Sequence, residues 1–462
     1  MKTKKLLLFY LLFLSASVTM AQQITPFKNG DRVVFLGNSI TDGGHYHSYI
    51  WLYYMTRFPE MRVTVMNAGI GGDQGVDMVR RLDGDVFSKR PTILFATFGM
   101  NDSGYLEYNG DQPEKFADEK VKASYDAYKQ MEARFKNLVN TKIVLMGSSP
   151  YDETAVIEGN TPFRNKNKAM LRIVDFQRES AKANGWQFFD LNQPMTALNS
   201  QFQQKDPAFA LCGRDRIHPD NDGHMVMAYL ILKAQGLAGK EVATINIDAS
   251  AASVVSSSNC EITDLKKTST RISFNYLAEA LPYPMDTIAR GWEQKKSQSQ
   301  AAEIVPFIDE MNKEMLTVKG LKGNYSLLID GEEIGTWSSD DFAKGLNLAT
   351  LTNTPQYQQA LRVMFLNEER WEIEKRFREY AWLQFNFFLQ KGITDLNTEE
   401  AVKILDENKG KNVWLNMRRD LYSKARYPEV RKAWQDEMDL LLSTIYSINT
   451  PVKRTITLVK TK

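Results

Sequence analysis

Cysteine and histidine are scarce in this chain. Its 462 residues hold two cysteines, Cys212 and Cys260, and four histidines, His45, His47, His218 and His224. Two cysteines cannot make a disulfide framework, so the fold must rest on buried apolar surface; the two thiols could pair or stay separate. Neither a CxxC nor an HExxH spacing occurs, which leaves no signature of a metal site and implies no cofactor. A dominant charge is missing too: 58 Lys and Arg face 56 Asp and Glu. That balance gives no overall field for nucleic acid or anionic lipid. Beyond the first 21 residues no run is apolar enough to cross a bilayer, which argues against stable membrane insertion. No fixed-period repeat and no low-complexity linker is present.

The N-terminus is the exception to the even composition. Lys2, Lys4 and Lys5 precede an apolar stretch from Leu6 to Leu14, and small residues follow up to Ala21. This is the pattern of a secretory signal peptide, residues 1–21, cleaved after Ala21. The apolar stretch is short of the ~20 residues that a membrane anchor needs. No cysteine follows the cleavage point, so a lipid anchor is not indicated. Loss of three lysines leaves 55 bases against 56 acids, a net charge of −1. The mature chain is expected in the periplasm or outside the cell.

At ~100–200 residues per domain, the length suggests two or three domains. From residue 31 to about 236, short apolar runs alternate with longer helical patterns. The runs are RVVFLG, RVTVMNAG, TILFATFG, KIVLMGSS and WQFFDL. Such alternation predicts a parallel sheet covered by helices on both faces, a three-layer α/β domain over residues 22–239. Near residue 240 the pattern changes. Period-two stretches appear, Asp330-Gly331 reads as a hairpin turn, two long helical segments follow, and KRTITLVK closes the region. Residues 240–462 are therefore expected to form a β-containing module with a long helical insertion.

Four polar signatures fall at strand ends, where ligands gather in an open parallel sheet. They are Gly37-Asn38-Ser39, the stretch NAGIGGDQG (67–75), FGMND (98–102) and GRDRIHPDNDGH (213–224). Each alone is an ordinary turn. Together they hold the parts that acyl transfer from a serine requires: a nucleophile, a base, a carboxylate to orient the base, and donors for an oxyanion. Ser39, His218 and Asp215 can supply the first three. The Ser39 amide, the Gly72 amide and the Asn101 side chain can supply the donors. His45, His47 and Tyr105 lie beside these blocks as candidates for substrate contact. For the two histidines a plain loop role is an equal alternative. His224 is expected to pack the last helix and Trp51 the core.

The ordered set GNS, NAGIGGD, GMND and DRIH resembles the SGNH (GDSL-like) hydrolase superfamily over about residues 30–238. The resemblance implies a flavodoxin-like α/β/α fold. It also implies Ser39 as nucleophile, His218 as base, Asp215 as its orienting carboxylate, and Ser39, Gly72 and Asn101 as oxyanion hole. Asn38 and Ile40 depart from a literal Gly-Asp-Ser-Leu, and Gly69 and Gly71 compete with Gly72 for its role. The expected function is that of an exported serine esterase working through an acyl-enzyme on a small-molecule or glycan ester, deacetylating carbohydrate. The alternatives are a lysophospholipase or other lipid esterase, a thioesterase, and a non-catalytic carbohydrate-binding protein on the hydrolase fold. The resemblance assigns no role to residues 240–462 and no oligomeric state.

Overall fold

In the first half of the chain, β1 (Arg32–Gly37), β2 (Thr64–Gly69), β3 (Ile93–Ala96), β4 (Lys142–Gly147) and β5 (Gln187–Asp190) form one parallel sheet. Their order is β2-β1-β3-β4-β5. This is the doubly wound, flavodoxin-like order, with the connection reversing at β1 and β3. These positions come from a computed structural model, which describes residues 23–291 and 295–461. The expected signal peptide, 1–21, lies outside the described residues.

The strand sequences explain the layers. Side chains alternate between faces, so a strand buried on both sides must be apolar at every position. Val33, Phe35, Ile93, Phe95, Val144 and Met146 join one buried cluster. It includes the helices Tyr46–Arg57 and Asn221–Ala234. Val34, Leu36, Leu94, Ala96, Ile143 and Leu145 join another cluster on the opposite face. The helices Gly75–Arg81, Pro113–Phe135 and Lys166–Asn184 cover that side. The helical pattern over 75–89 holds along its whole length: the α-helix Gly75–Arg81 continues through a π-helical turn, Leu82–Val86, and a 3₁₀ turn, Phe87–Lys89.

The second half begins with β6 (Ala243–Asp248), β7 (Ser253–Ser258), β8 (Cys260–Lys267) and β9 (Arg271–Ala278). It continues with β10 (Glu314–Lys319), β11 (Asn324–Ile329), β12 (Glu332–Ser338) and the short β13 (Leu346–Asn347). The final strand is β14 (Arg454–Lys460). They make two sheets, ordered β13-β10-β6-β7 and β12-β11-β14-β9-β8. Residues of both sheets share one apolar core. The β11–β12 hairpin turns at Asp330 and Gly331, with φ of 53° and 89°. Both lie in the left-handed region, as a two-residue turn of this hand demands.

Between β13 and β14 the chain forms the helices Pro355–Ala381, Glu399–Glu407, Val413–Ala425 and Pro428–Ile448. This is the expected helical insertion, but it does not keep to its own half. Val363, Met364 and Ile445 belong to the core cluster of the parallel-sheet domain. Cys212 is buried and Cys260 half-buried, and the two are separate thiols.

β14 lies in the interior of its sheet, paired to β11 and β9, with Leu458 fully buried. Leu458→Ala is expected to cost ~2–5 kcal/mol through lost burial and a residual cavity. Chemical unfolding of the two proteins checks this; an unchanged midpoint would contradict the packing described.

Candidate active site

All four polar signatures meet at the carboxyl end of the parallel sheet. After β1, Asn38 caps a single helical turn, Ser39–Asp42, by accepting the Ile40 amide at 3.0 Å. The cap places Ser39 in the first position of that turn, where backbone N–H groups have no partner within the helix. Ser39 Oγ lies 2.7 Å from His218 Nε2. The other ring nitrogen, His218 Nδ1, lies 2.5 Å from Asp215 Oδ2. Asp215 Oδ1 accepts the amides of Ile217 and His218 at 2.9 and 3.0 Å. Partial burial works against the Asp215 charge, but the His218 ring and these two amides outweigh it and hold the carboxyl below its usual value. The group can therefore orient the imidazole and face its positive charge without taking the proton.

The loop carrying Asp215 and His218 is pinned between them. Arg216 adopts φ 67° and buries its guanidinium. It donates to the main-chain oxygens of Asp152, Ala155 and Asn160 at 3.0, 2.8 and 2.6 Å. A left-handed arginine is strained, and these bonds over-determine it.

Three glycines compete for the donor role after β2, and the structure separates them. The Gly69 amide donates to Asn67 Oδ1 at 2.8 Å and the Gly71 amide to Asp42 Oδ2 at 2.9 Å. The Gly72 amide has no acceptor among the described residues. Gly72 needs to be glycine for its φ of 88°. Gly69 needs to be glycine for space, since a Cβ there would sit 2.2 Å from the Asp42 nitrogen. Asn101 Nδ2 donates one hydrogen to the Asp73 carbonyl at 2.9 Å, which leaves its second hydrogen available.

Tyr105 is half-buried and tied into the site. Its hydroxyl donates to Asn101 Oδ1, which fixes the orientation of that amide. The Tyr105 ring in turn covers the ammonium of Lys166, 4.1 Å from its centroid. Lys166 is fully buried and donates to Met100 O, Ser103 Oγ and Gly104 O at 2.6, 2.7 and 2.6 Å. Burial pulls it down to about 7. Asp102 ties the same loop to its neighbour, accepting the Gly99 amide and, from the preceding block, the Gly75 amide.

His45 and His47 are not positioned for substrate contact. Both are buried, 2% and 1% exposed. His45 stacks on Trp371 at 3.9 Å and lies 3.4 Å from Glu368 Oε2. His47 Nε2 lies 3.1 Å from the Thr41 carbonyl and props up the turn that bears Ser39. The pattern HSYIWLYYMTRF predicts a helix from His47 on, and the helix Tyr46–Arg57, with His45 just before it, is buried along its length between the sheet and the insertion. His224 and Trp51 pack in the interior, as expected.

Other contributors gave little sequence signal. Asp73, directly after Gly72, and Arg81, eight residues on, form a buried pair at 2.7 Å. Arg81 also donates to Gly37 O, Ala68 O and Asp85. Arg378, from the helical insertion, binds both oxygens of Asp85 at 2.7 Å. Burial opposes the Asp85 charge, but the surrounding cations hold its carboxyl well below the usual range.

Residues 35–226 match the GDSL-like lipase/acylhydrolase family, and residues 361–450 match the diltiazem deacetylase C-terminal helical domain. An acetylxylan esterase of Geobacillus stearothermophilus is 30% identical over 229 residues, 45% of this chain and 95% of that protein. The chain belongs to the GDSL-like lipase/acylhydrolase (SGNH) family. The structure of BT4096, a gut microbial diltiazem-metabolizing enzyme, is 61% identical and covers 96% of this chain and 100% of its own, with a TM-score of 0.94. The chain is thus an SGNH esterase or deacetylase with the helical domain attached.

Buried histidines beneath the nucleophile should make the fold acid-sensitive. Burial lowers His47 from 6.5 to about 4, although Glu374 and the Thr41 carbonyl oppose the shift. Between those values the unfolded chain takes up a proton that the folded chain does not. Stability is therefore complete above about pH 6.5 and falls as the pH drops toward 4, by up to ~3 kcal/mol from this group. His224, lowered by burial as well, adds in the same direction. Unfolding midpoints at pH 7 and pH 5 should converge less for wild type than for His47→Gln; equal losses in both proteins would exclude His47 as a source.

Proposed function

We propose that this chain is an exported acetyl esterase in which Ser39 is the nucleophile. Ser39 Oγ adds to the ester carbonyl while His218 Nε2 takes its proton, and Asp215 steadies the imidazolium. The carbonyl oxygen becomes an oxyanion facing the Ser39 and Gly72 amides and Asn101 Nδ2. Collapse breaks the bond to the alcohol, whose oxygen receives the proton from His218. Water then repeats the sequence on the acyl-enzyme and releases the acid. The observation that carries this reading is the file Ser39 Oγ–His218 Nε2–His218 Nδ1–Asp215 Oδ2, with spacings of 2.7 and 2.5 Å.

Acetyl is favoured as the acyl group because two relatives of different coverage, an acetylxylan esterase and a diltiazem-metabolizing enzyme, both point to deacetylation. For the alcohol, carbohydrate is the natural partner in this reading, and diltiazem is a second substrate favoured by the 61% identical relative. Export rests on the basic and apolar residues of positions 1–21. Among the described residues no helix is long and apolar enough to cross a membrane.

A serine-directed organophosphonate should label Ser39, and Ser39→Ala should lose ~10⁴–10⁶ in kcat. Label on another serine, with Ser39→Ala fully active, would refute the assignment.

On acyl chain length, kcat/KM should fall from acetate to octanoate esters. A long chain needs an apolar groove to collect the ~0.8 kcal/mol available per buried CH₂. Acetate should be released from acetylated xylo-oligosaccharide and from diltiazem. A tenfold preference for octanoyl esters, with acetate released from neither compound, would favour a lipid substrate instead.

A further inference from the structure

The loop that carries Gly72 is gripped by residues more than 300 positions away. Glu374 Oε1 accepts the Asn67 amide at 2.8 Å. Arg378 Nε donates to the Gly69 carbonyl at 2.8 Å. The Ile70 side chain, fully buried, joins the apolar cluster of Trp382, Leu383, Phe385 and Phe388. Asn386 Nδ2 donates to Asp73 Oδ1 at 2.7 Å. Every one of these partners belongs to the helical insertion, and the free Gly72 amide lies between the gripped positions.

Asp73 links this grip to the second donor. Its carboxylate takes Asn386 and Arg81, and its main-chain oxygen takes Asn101 Nδ2 at 2.9 Å. The Gly72 amide and the Asn101 amide are thus both keyed to one residue, and that residue is held from the insertion. We propose that the helical insertion is a positioning element for the oxyanion hole, acting through Ile70 and through Asn386 on Asp73. This inference rests on the reading of Ser39, His218 and Asp215 as the catalytic set with Gly72 and Asn101 as donors.

The physical reason is the tolerance of such a hole. Donors must lie ~2.7–3.1 Å from the oxyanion, so a loop shift of about 1 Å removes most of their effect. The oxyanion exists only beyond the ground state. A loosened hole therefore lowers kcat and leaves KM nearly unchanged. A purely structural role of the insertion would lower the thermal midpoint without that split.

The test uses the full chain with p-nitrophenyl acetate. Asn386→Ala and Ile70→Ala should each lower kcat by about tenfold or more, with KM within about threefold, in protein that is folded at the assay temperature. Ile70→Val, which keeps most of the contact, should stay within about threefold of wild type. Asn101→Ala sets the scale for losing one donor, about 10²–10³. In that background Asn386→Ala should cost much less than it does alone, because both act on the same hole. Unchanged kcat in both alanine variants, or full additivity with Asn101→Ala, would overturn the proposal. Should Ile70→Ala fail to fold, the Asn386→Ala kinetics and cycle decide it alone. Failure of the underlying reading is distinguishable: wild-type protein would then escape phosphonate labelling at Ser39.

Discussion

Main-chain carbonyls at the ends of parallel strands and in the loops beyond them run short of strand partners, and burial makes an unpaired one costly. In this protein buried cations collect them. Arg81 takes Gly37 O and Ala68 O, Arg378 takes Gly69 O, Lys166 takes Met100 O and Gly104 O, and Arg216 takes three carbonyls of the 152–160 loop. Arg81, Arg378 and Lys166 grip carbonyls of the first three polar blocks, and Arg216, a member of the fourth, anchors that block to the 152–160 loop. The loops that carry the chemistry are thereby held from below, while their upper surfaces keep free donors. A buried guanidinium also needs anions, which Asp73 and Asp85 provide, and Asp85 calls for a second arginine. That demand reaches across the chain to the helical insertion, so the two halves are joined by electrostatic necessity as well as by apolar contact.

The parallel sheet and the four blocks were legible in the sequence because their signals are local. A strand apolar at every position, ending in Gly-Asn-Ser, states both its burial and its end. The pairing of Asp215 with His218 follows from a spacing of three residues in one loop. Gly72 was chosen on the family resemblance, and the reason it stands apart from Gly69 and Gly71 lies outside the local sequence, in the amides that Asn67 and Asp42 already occupy. His45 and His47 were misjudged for a related reason. Nothing in their own surroundings announces that Trp371 and Glu368 will cover His45, or that His47 will turn inward to the Thr41 carbonyl. The insertion itself was readable as helix, but its purpose was not. Ile70, Glu374 and Asn386 are unremarkable where they stand and acquire meaning only through pairings some 300 residues apart.

Tyr105 shows how one residue near the chemistry can orient another. Its hydroxyl goes to Asn101 and its ring to Lys166. An amide side chain has two ends that differ only in what they can donate or accept, and a tyrosine on the oxygen end settles which end faces the site. The same logic of orienting one polar group with another governs Asp215 and His218.

The interior place of β14 bears on how the chain can assemble. Its neighbours β9 and β11 precede it in sequence, yet neither pairs with the other; the strand that joins them follows the whole helical insertion. Until that strand arrives, the two hairpins β8–β9 and β11–β12 face each other across a gap with open edges. Such edges bond readily to any other extended segment. Early docking of the helices against the parallel-sheet domain would shorten the effective distance that β14 has to be carried. In this order of events the insertion acts as a guide for the strand that follows it, and the gap is open only as long as the helices take to settle.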